Sequence, residues 1–185
     1  TLSTEKANTT IIFIGDNGTP NNLLQDYPAN HGKTTLYQGG IHVPMFVSGY
    51  GVTRIGETEN ALVSVIDIYA SVVEISGTNL PGGIYNSLSF KHLLTSSILP
   101  KRQFNFSEID TNQAFINTQG YTIRDSTYKL IEYYTGQQEM FNIMTDPLET
   151  NDLLQGVLTP NEQNLKSELE NEAHQRITAW SCKDD

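Results

Sequence analysis

The chain has 185 residues and carries 11 Lys and Arg against 21 Asp and Glu, a net charge of −10 at neutral pH. Hydrophobic residues make up 37% of the chain, which is enough to fill a core. The acidic balance disfavours nucleic acids and anionic membranes as partners, because their phosphates attract basic surfaces. No apolar run approaches the roughly 20 residues that a membrane span requires.

A single cysteine, Cys182, excludes an intramolecular disulfide and a zinc site built on several cysteines. The chain starts at Thr1 and its first methionine is Met45. Because a primary translation product starts with methionine, we interpret the chain as a piece of a longer protein.

The first part of the chain predicts an α/β structure. Residues 8–15 form a short β-branched run closed by Gly15, and residues 43–48 form a second apolar run, both typical of buried strands. Together they predict the interior of a mostly parallel sheet. Residues 16–42 between them are rich in glycine, proline and asparagine, which predicts a loop.

Two helical segments are predicted after the second strand. Residues 65–76 have apolar positions at helical spacing, with Ser64 as N-cap, Asp67 completing a capping box and Gly77 at the C-terminal stop. A short helix is predicted at 90–94.

From residue 103 onward the pattern changes to short strands joined by turns, which predicts a small antiparallel sheet. The predicted strands are residues 103–109, 120–124, 128–134 and 139–143. A final helix is predicted over 160–181, where Thr159 and Glu162 form a capping box. Its apolar residues recur every four positions and predict packing on the sheet. We therefore expect two parts, residues 1–102 and 103–185.

The first candidate site directly follows the first strand. Ligands in α/β sheets bind beyond the carboxyl ends of the strands. Asp16 and Asn17 offer carboxylate and amide oxygens, the ligands that Ca²⁺ and Mg²⁺ prefer, although the same residues also suit an ordinary turn. Because Ca²⁺ takes about six to eight oxygens, any metal site needs further ligands from elsewhere.

The second candidate site is a glycine-rich loop that contains Lys33 and leads through Gly39 and Gly40 into the second strand. A lysine there is well placed to meet an anion as a mobile point charge, and His31 is near enough in sequence to approach the same anion. The alternative for both side chains is a solvated loop. The spacing does not match a phosphate-binding P-loop.

These motifs resemble the second half of the sulfatase family, which belongs to the alkaline-phosphatase-like superfamily. The resemblance starts with the strand before Asp16-Asn17-Gly18, followed by Lys33-x5-Gly39-Gly40-x-x-Val43-Pro44. It continues through residues 63–77, 128–131, 139–143, 146–149 and 151–153. In total it covers about residues 9–155, with the motifs in the family's order.

The resemblance implies an arylsulfatase-like, calcium-dependent hydrolase of sulfate esters on an alkaline-phosphatase-like α/β fold. It implies that Asp16 and Asn17 bind Ca²⁺ and that Lys33 contacts the sulfate and helps to stabilise the leaving group. Asp146, Pro147 and Glu149 match a structural signature. The implied substrate is a sulfate-ester small molecule or a sulfated glycan, and the implied location is periplasmic or secreted.

The family's nucleophile is a formylglycine formed within a Cys/Ser-x-Pro-x-Arg motif, and this sequence contains no such motif. We expect the formylglycine and the remaining Ca²⁺ ligands in a missing N-terminal half, and we expect this chain alone to be inactive. Two alternatives stay open, a phosphoester or phosphonate hydrolase of the same superfamily and a non-catalytic sulfatase-like binding or structural module. Exposed strand edges would favour a homo-oligomer.

Overall fold

The computed structural model describes residues 7–82, 86–96, 102–110 and 119–181, so Cys182 lies outside the described residues. The helices and strands in chain order are β1 Thr10–Ile14, α1 Gln38–Ile41, β2 Met45–Gly49, α2 Asp67–Ile75, β3 Asn105–Ile109, β4 Gly120–Arg124, β5 Tyr128–Tyr133, β6 Gln138–Asn142 and α3 Pro160–Ser181. In the part of the chain that the structure describes, no helix combines the length and apolar character needed to cross a membrane.

The chain divides into two compact units. The first contains residues 1–15 and 44–103, and the second contains residues 16–43 and 104–185. The chain passes from the first unit to the second between residues 103 and 104. Residues 16–43, hereafter the loop segment, group with the C-terminal residues and not with residues 1–15. The reason is packing, because Leu36 of this segment is 1% exposed and lies in a core cluster of the second unit.

In the first unit β1 and β2 pair with each other antiparallel, with Thr10 opposite Gly49 and Ile14 opposite Met45. The sequence predicts these strands inside a mostly parallel sheet, so the direction of this pairing differs from the prediction. An apolar run has the same appearance in either direction, and the long connection through the loop segment allows the chain to return alongside β1.

The β1–β2 pair is covered on one face only. Ile12, Met45 and Val47 pack against a core cluster that contains Phe90. The opposite face leaves the apolar side chains Ile11, Phe13 and Phe46 exposed by 59%, 60% and 65%. The prediction that these strands are fully buried is therefore wrong for this chain, in which alternate side chains face solvent.

Helix α2 begins two residues after its predicted start at 65. The prediction of Ser64 as N-cap is therefore wrong, because Ile66 is the N-cap residue and makes no side-chain cap bond. The Ser64 N–H instead donates to the carboxylate of Asp67, the first helical residue, at 2.8 Å. Gly77 follows the helix with a left-handed φ of 77°, as a C-terminal stop requires. A 3₁₀ turn over Lys91–Leu94 occupies the second predicted helical segment.

A buried ion pair holds the start of α2. Asp67 accepts a hydrogen bond from Arg102 Nε at 2.7 Å, and the two residues are 1% and 8% exposed. The same carboxylate accepts the backbone N–H of Leu88 at 2.8 Å. Asp67 therefore joins three segments of the first unit that are distant in sequence.

The second unit is built on an antiparallel sheet in the order β3-β4-β5-β6, which confirms the predicted antiparallel sheet. Helix α3 begins at the predicted position, where Thr159 N–H donates to Glu162 at 2.8 Å and Glu162 N–H donates to Thr159 Oγ1 at 3.3 Å. This reciprocal pair is the predicted capping box.

Both faces of this sheet are buried, by different partners. On one face Leu130 and Met140 pack with Leu169 and Ala173 of α3. On the other face Ile131 and Phe141 pack with Leu36 of the loop segment, in a cluster that also contains Ile143. The alternation of side chains along β5 and β6 therefore places α3 and the loop segment on opposite sides.

We predict that Arg102→Met destabilises the protein by about 3 kcal/mol, because it leaves the Asp67 carboxylate buried without its cation. The measurement is the free energy of unfolding in urea. The matched control is Lys166→Met, which removes an ion pair with Glu170 on the surface of α3. That control should lower stability by about 0.5 kcal/mol or less, and equal losses in the two variants would contradict the prediction.

Candidate functional site

Three backbone hydrogen bonds assemble the loop segment around its two predicted motifs. Gly18 N–H donates to Gly40 O at 3.0 Å and Thr19 N–H donates to Gly39 O at 3.0 Å. Lys33 N–H donates to Thr19 O at 2.7 Å. The Asp16-Asn17 turn and the lysine loop, which are separate in sequence, are therefore joined in one hydrogen-bonded structure.

The glycines are needed because these backbones approach closely. A Cβ atom on Gly18 would lie 2.0 Å from the Gly39 carbonyl oxygen, and one on Gly40 would lie 2.4 Å from the Thr35 carbonyl oxygen. Real side chains do not reach such distances without moving the backbone. Gly39 and Gly40 of the sequence motif thus allow the backbone of the loop segment to pack closely against itself.

In the part of the chain that the structure describes, the side-chain polar groups of Asp16, Asn17 and Lys33 have no partner. Asp16 and Lys33 are exposed and Asn17 is half-buried. Within the described ranges, no hydrogen bond or ion pair engages the Asp16 carboxylate, the Asn17 side-chain amide or the Lys33 ammonium. A carboxylate, an amide and an ammonium are therefore presented without a competing interaction.

The backbone beside Lys33 adopts an unusual conformation. Thr34 has a φ of 71°, and for a β-branched residue the left-handed region is an outlier. The turn is held in place by Thr35 Oγ1, which donates to Gly32 O at 2.7 Å, and by the buried side chain of Leu36. Such strain persists only where the surroundings over-determine the conformation, and it concentrates at functional sites.

His31 stacks on the ring of Tyr37, with the ring centroids 3.5 Å apart and the planes 4° from parallel. Its Nδ1 atom is buried and has no hydrogen-bond partner in the described part of the chain. Burial lowers the pKa of the imidazole, against the opposing charge of Glu149, so the ring is neutral at neutral pH. A contact from His31 to an anion would therefore be a hydrogen bond and not an ion pair.

Tyr37 anchors the loop segment to the sheet. Its hydroxyl donates to Glu139 on β6 at 2.5 Å and accepts from the Tyr133 hydroxyl at 3.3 Å. Burial raises the pKa of the Tyr37 phenol, and the hydrogen bond to Glu139 adds to the increase. Tyr37 thus remains a neutral hydrogen-bond donor.

Glu149 is the second polar anchor. One carboxylate oxygen accepts from Lys129 Nζ at 2.5 Å and the other accepts the backbone N–H of Gln38, the first residue of α1, at 2.5 Å. The side chains of Glu149 and Lys129 are 0% exposed. Burial lowers the pKa of Lys129 to about 8, although the charge of Glu149 opposes this effect.

The sequence assigns Glu149 to a structural signature but does not reveal its contact with the site loop. One sequence signal of a buried ion pair was available. Lys129 alternates with Ile131 on one face of the predicted strand, and the residues beside it, Tyr128 and Leu130, have large hydrophobic side chains. A charged side chain on an inward face indicates a buried partner. Which partner it meets depends on the fold.

The described residues supply only part of a metal site. No group of three or more His, Cys, Asp and Glu side chains within the described ranges is arranged to hold a metal ion. Asp16 and Asn17 fit a hard cation by the chemistry of their oxygens, but their number is below what Ca²⁺ takes. Further ligands would have to come from beyond these residues, as the sequence also indicates.

We predict that Gly18→Ala lowers the free energy of unfolding by about 1–3 kcal/mol, because the added methyl group overlaps backbone atoms that cannot turn aside. Urea unfolding measures the change. Gly156→Ala is the control, since its Cβ would meet only Leu153 O at 3.7 Å and its φ is −114°. A Gly18→Ala protein as stable as the control protein would show that the loop segment is not tightly packed.

Comparison with known proteins identifies the family. A family model described as N-sulphoglucosamine sulphohydrolase, C-terminal, matches residues 29–178. A sulfatase of Formosa agariphila is 28% identical over 95% of this chain and 33% of its own length. Arylsulfatase K of Xenopus laevis is 25% identical over 76% of this chain and 27% of its own length. The chain thus spans about a third or less of these relatives.

Solved structures share the fold. A putative sulfatase of Bacteroides thetaiotaomicron superposes with a TM-score of 0.75 at 19% identity, over 94% of this chain and 37% of that one. A protein in complex with its substrate D-glucosamine-2-N,6-O-disulfate superposes with a TM-score of 0.74 at 19% identity, over 96% of this chain and 36% of that one. The expected alkaline-phosphatase-like α/β fold is confirmed. The chain belongs to the sulfatase family, in the group described as N-sulphoglucosamine sulphohydrolase, C-terminal.

Proposed function

We propose that the protein to which this chain belongs hydrolyses sulfate esters, and that the loop segment supplies part of its active site. The observation that carries the proposal is that backbone hydrogen bonds of Gly18, Thr19 and Lys33 join the turn after Asp16 and Asn17 to the lysine loop. In the described part of the chain, the side-chain polar groups of Asp16, Asn17 and Lys33 have no partner. Membership of the sulfatase family supports the reaction type.

Lys33 is proposed to contact the sulfate oxygens and to stabilise the leaving group. Negative charge develops on the ester oxygen as the sulfur–oxygen bond breaks, and a positioned ammonium stabilises that charge. The backbone N–H of Lys33 donates to Thr19 O at 2.7 Å, and this hydrogen bond holds the Lys33 backbone in place. His31 is proposed as a second, neutral contact to the substrate.

Asp16 and Asn17 are proposed to bind Ca²⁺ together with ligands outside this chain. When bound, the ion supplies Lewis-acid polarisation of the sulfate oxygens. The formylglycine nucleophile is likewise proposed to lie outside these 185 residues, because the sequence contains no Cys/Ser-x-Pro-x-Arg motif. We therefore propose that this chain is inactive by itself.

A sulfated sugar is the proposed substrate class. One structural relative is described in complex with D-glucosamine-2-N,6-O-disulfate and another in complex with k-i-k-neocarrahexaose. The chain has a net charge of −10, and Lys33 is exposed with no partner among the described residues, so its ammonium provides a local positive charge that attracts a sulfate group.

We predict that Lys33→Ala lowers kcat/KM of the intact protein for an aryl sulfate and for a sulfated glucosamine by about 10²–10³-fold, as expected for the loss of one charge-stabilising donor. Lys166→Ala on α3 is the matched control and should leave kcat/KM unchanged. The isolated 185-residue chain is the inactive control. Hydrolysis of an aryl phosphate without any hydrolysis of sulfates would overturn the proposal, and so would turnover of neither ester.

We predict that Asp16→Asn raises the Ca²⁺ concentration needed for half-maximal activity of the intact protein by about tenfold or more, because the site loses a charged ligand. The measurement is activity after removal of metal with a chelator and titration with Ca²⁺. Asp26→Asn makes the same chemical change at an exposed position of the same loop segment and should leave the titration unchanged. Identical titrations for the two variants would exclude Asp16 as a ligand.

A further inference from the structure

The loop segment depends on one acceptor that lies far away in sequence. Glu149 accepts the N–H of Gln38, and the two residues are 111 positions apart. Gln38 begins α1, whose Gly39 and Gly40 carbonyls accept the N–H groups of Thr19 and Gly18. Thr19 O in turn accepts the N–H of Lys33. Hydrogen bonds, together with the backbone between Gln38 and Gly40, therefore connect the Glu149 carboxylate to the backbone of the proposed site.

Two features of Glu149 are energetically unfavourable, its backbone conformation and the burial of its charge. Glu149 has a φ of 58°, in the left-handed region that non-glycine residues avoid. Its charge and that of Lys129 are removed from water completely, and the desolvation of such a pair can exceed its attraction. An apolar residue at position 149 would leave the buried Gln38 N–H without this acceptor, so the carboxylate serves the loop segment as well as the core.

We propose that Glu149, held by Lys129, is a positioning residue that fixes the loop segment and thereby orients Lys33 for catalysis. The acceptor for the Gln38 N–H is the essential feature, and Lys129 holds it in place by donating to the other oxygen of the same carboxylate. The activity consequence rests on the proposed sulfate-ester hydrolysis. The structural consequence, a loop segment held by Glu149, does not.

The test compares two double variants of the intact protein, Lys129→Met with Glu149→Gln and Lys129→Met with Glu149→Leu. Both double variants remove the buried charges. Glutamine and leucine also both lack a branch at Cβ, so the left-handed backbone at position 149 should respond in the same way in the two proteins. Only glutamine retains an oxygen that can accept the Gln38 N–H. The two proteins are compared under conditions in which urea titration shows both to be folded.

Amide hydrogen exchange is the first measurement. In the leucine variant the amides of Gly18, Thr19 and Lys33 should exchange about tenfold faster than in the glutamine variant, because one anchoring hydrogen bond is lost. Amides of β4 and β5 should exchange alike in both. Equal exchange of the loop amides, or equal acceleration in the sheet, would overturn the proposal whether or not the protein is a sulfatase.

Kinetics with an aryl sulfate are the second measurement. The leucine variant should lose about tenfold in kcat/KM relative to the glutamine variant. Adding Lys33→Ala should reduce kcat/KM less in the leucine variant than in the glutamine variant, because coupled residues are not additive. Fully additive losses would show that Glu149 does not act through Lys33. If the unmodified protein hydrolyses no sulfate ester, the proposed function fails and hydrogen exchange alone decides the anchoring role.

Discussion

The four-stranded sheet is buried on both faces, and the arrangement of the second unit depends on that constraint. Side chains alternate along β5 and β6, so one set of residues must be covered by α3 and the other by the loop segment. The candidate site is for this reason attached to a packed core through Leu36. A loop that closes one side of a core has little freedom to move, which suits residues that must hold a fixed geometry.

The two coverings explain why the two faces differ in chemistry. A helix satisfies its own backbone groups, so the face beneath α3 meets mainly apolar side chains. A loop brings unpaired backbone N–H groups to the sheet, and buried donors require acceptors. Glu149 provides one for Gln38, and Glu139 binds the hydroxyl of Tyr37. The charged residues on this face are thus a consequence of covering a sheet with a loop.

Local signals predicted much of this structure. The strands of the second unit, helix α3 and its Thr159–Glu162 capping box lie where the sequence places them, since each depends on residues a few positions apart. The antiparallel pairing of β1 with β2 was not predictable, because an apolar strand has the same sequence pattern whether its neighbour is parallel or antiparallel. Their exposed face was also missed, because hydrophobicity does not show whether a covering element is present in the chain.

The sequence by itself determined the elements, their caps, the family resemblance and the identities of the candidate site residues Asp16, Asn17 and Lys33. Only the tertiary structure decided that these residues share one hydrogen-bonded loop, that this loop packs with the C-terminal sheet, and that Lys129 and Glu149 anchor it. Caps and periodicities arise from neighbours along the chain. The contact between Gln38 and Glu149 joins residues 111 positions apart, and it exists only because the sheet and the loop segment fold against each other.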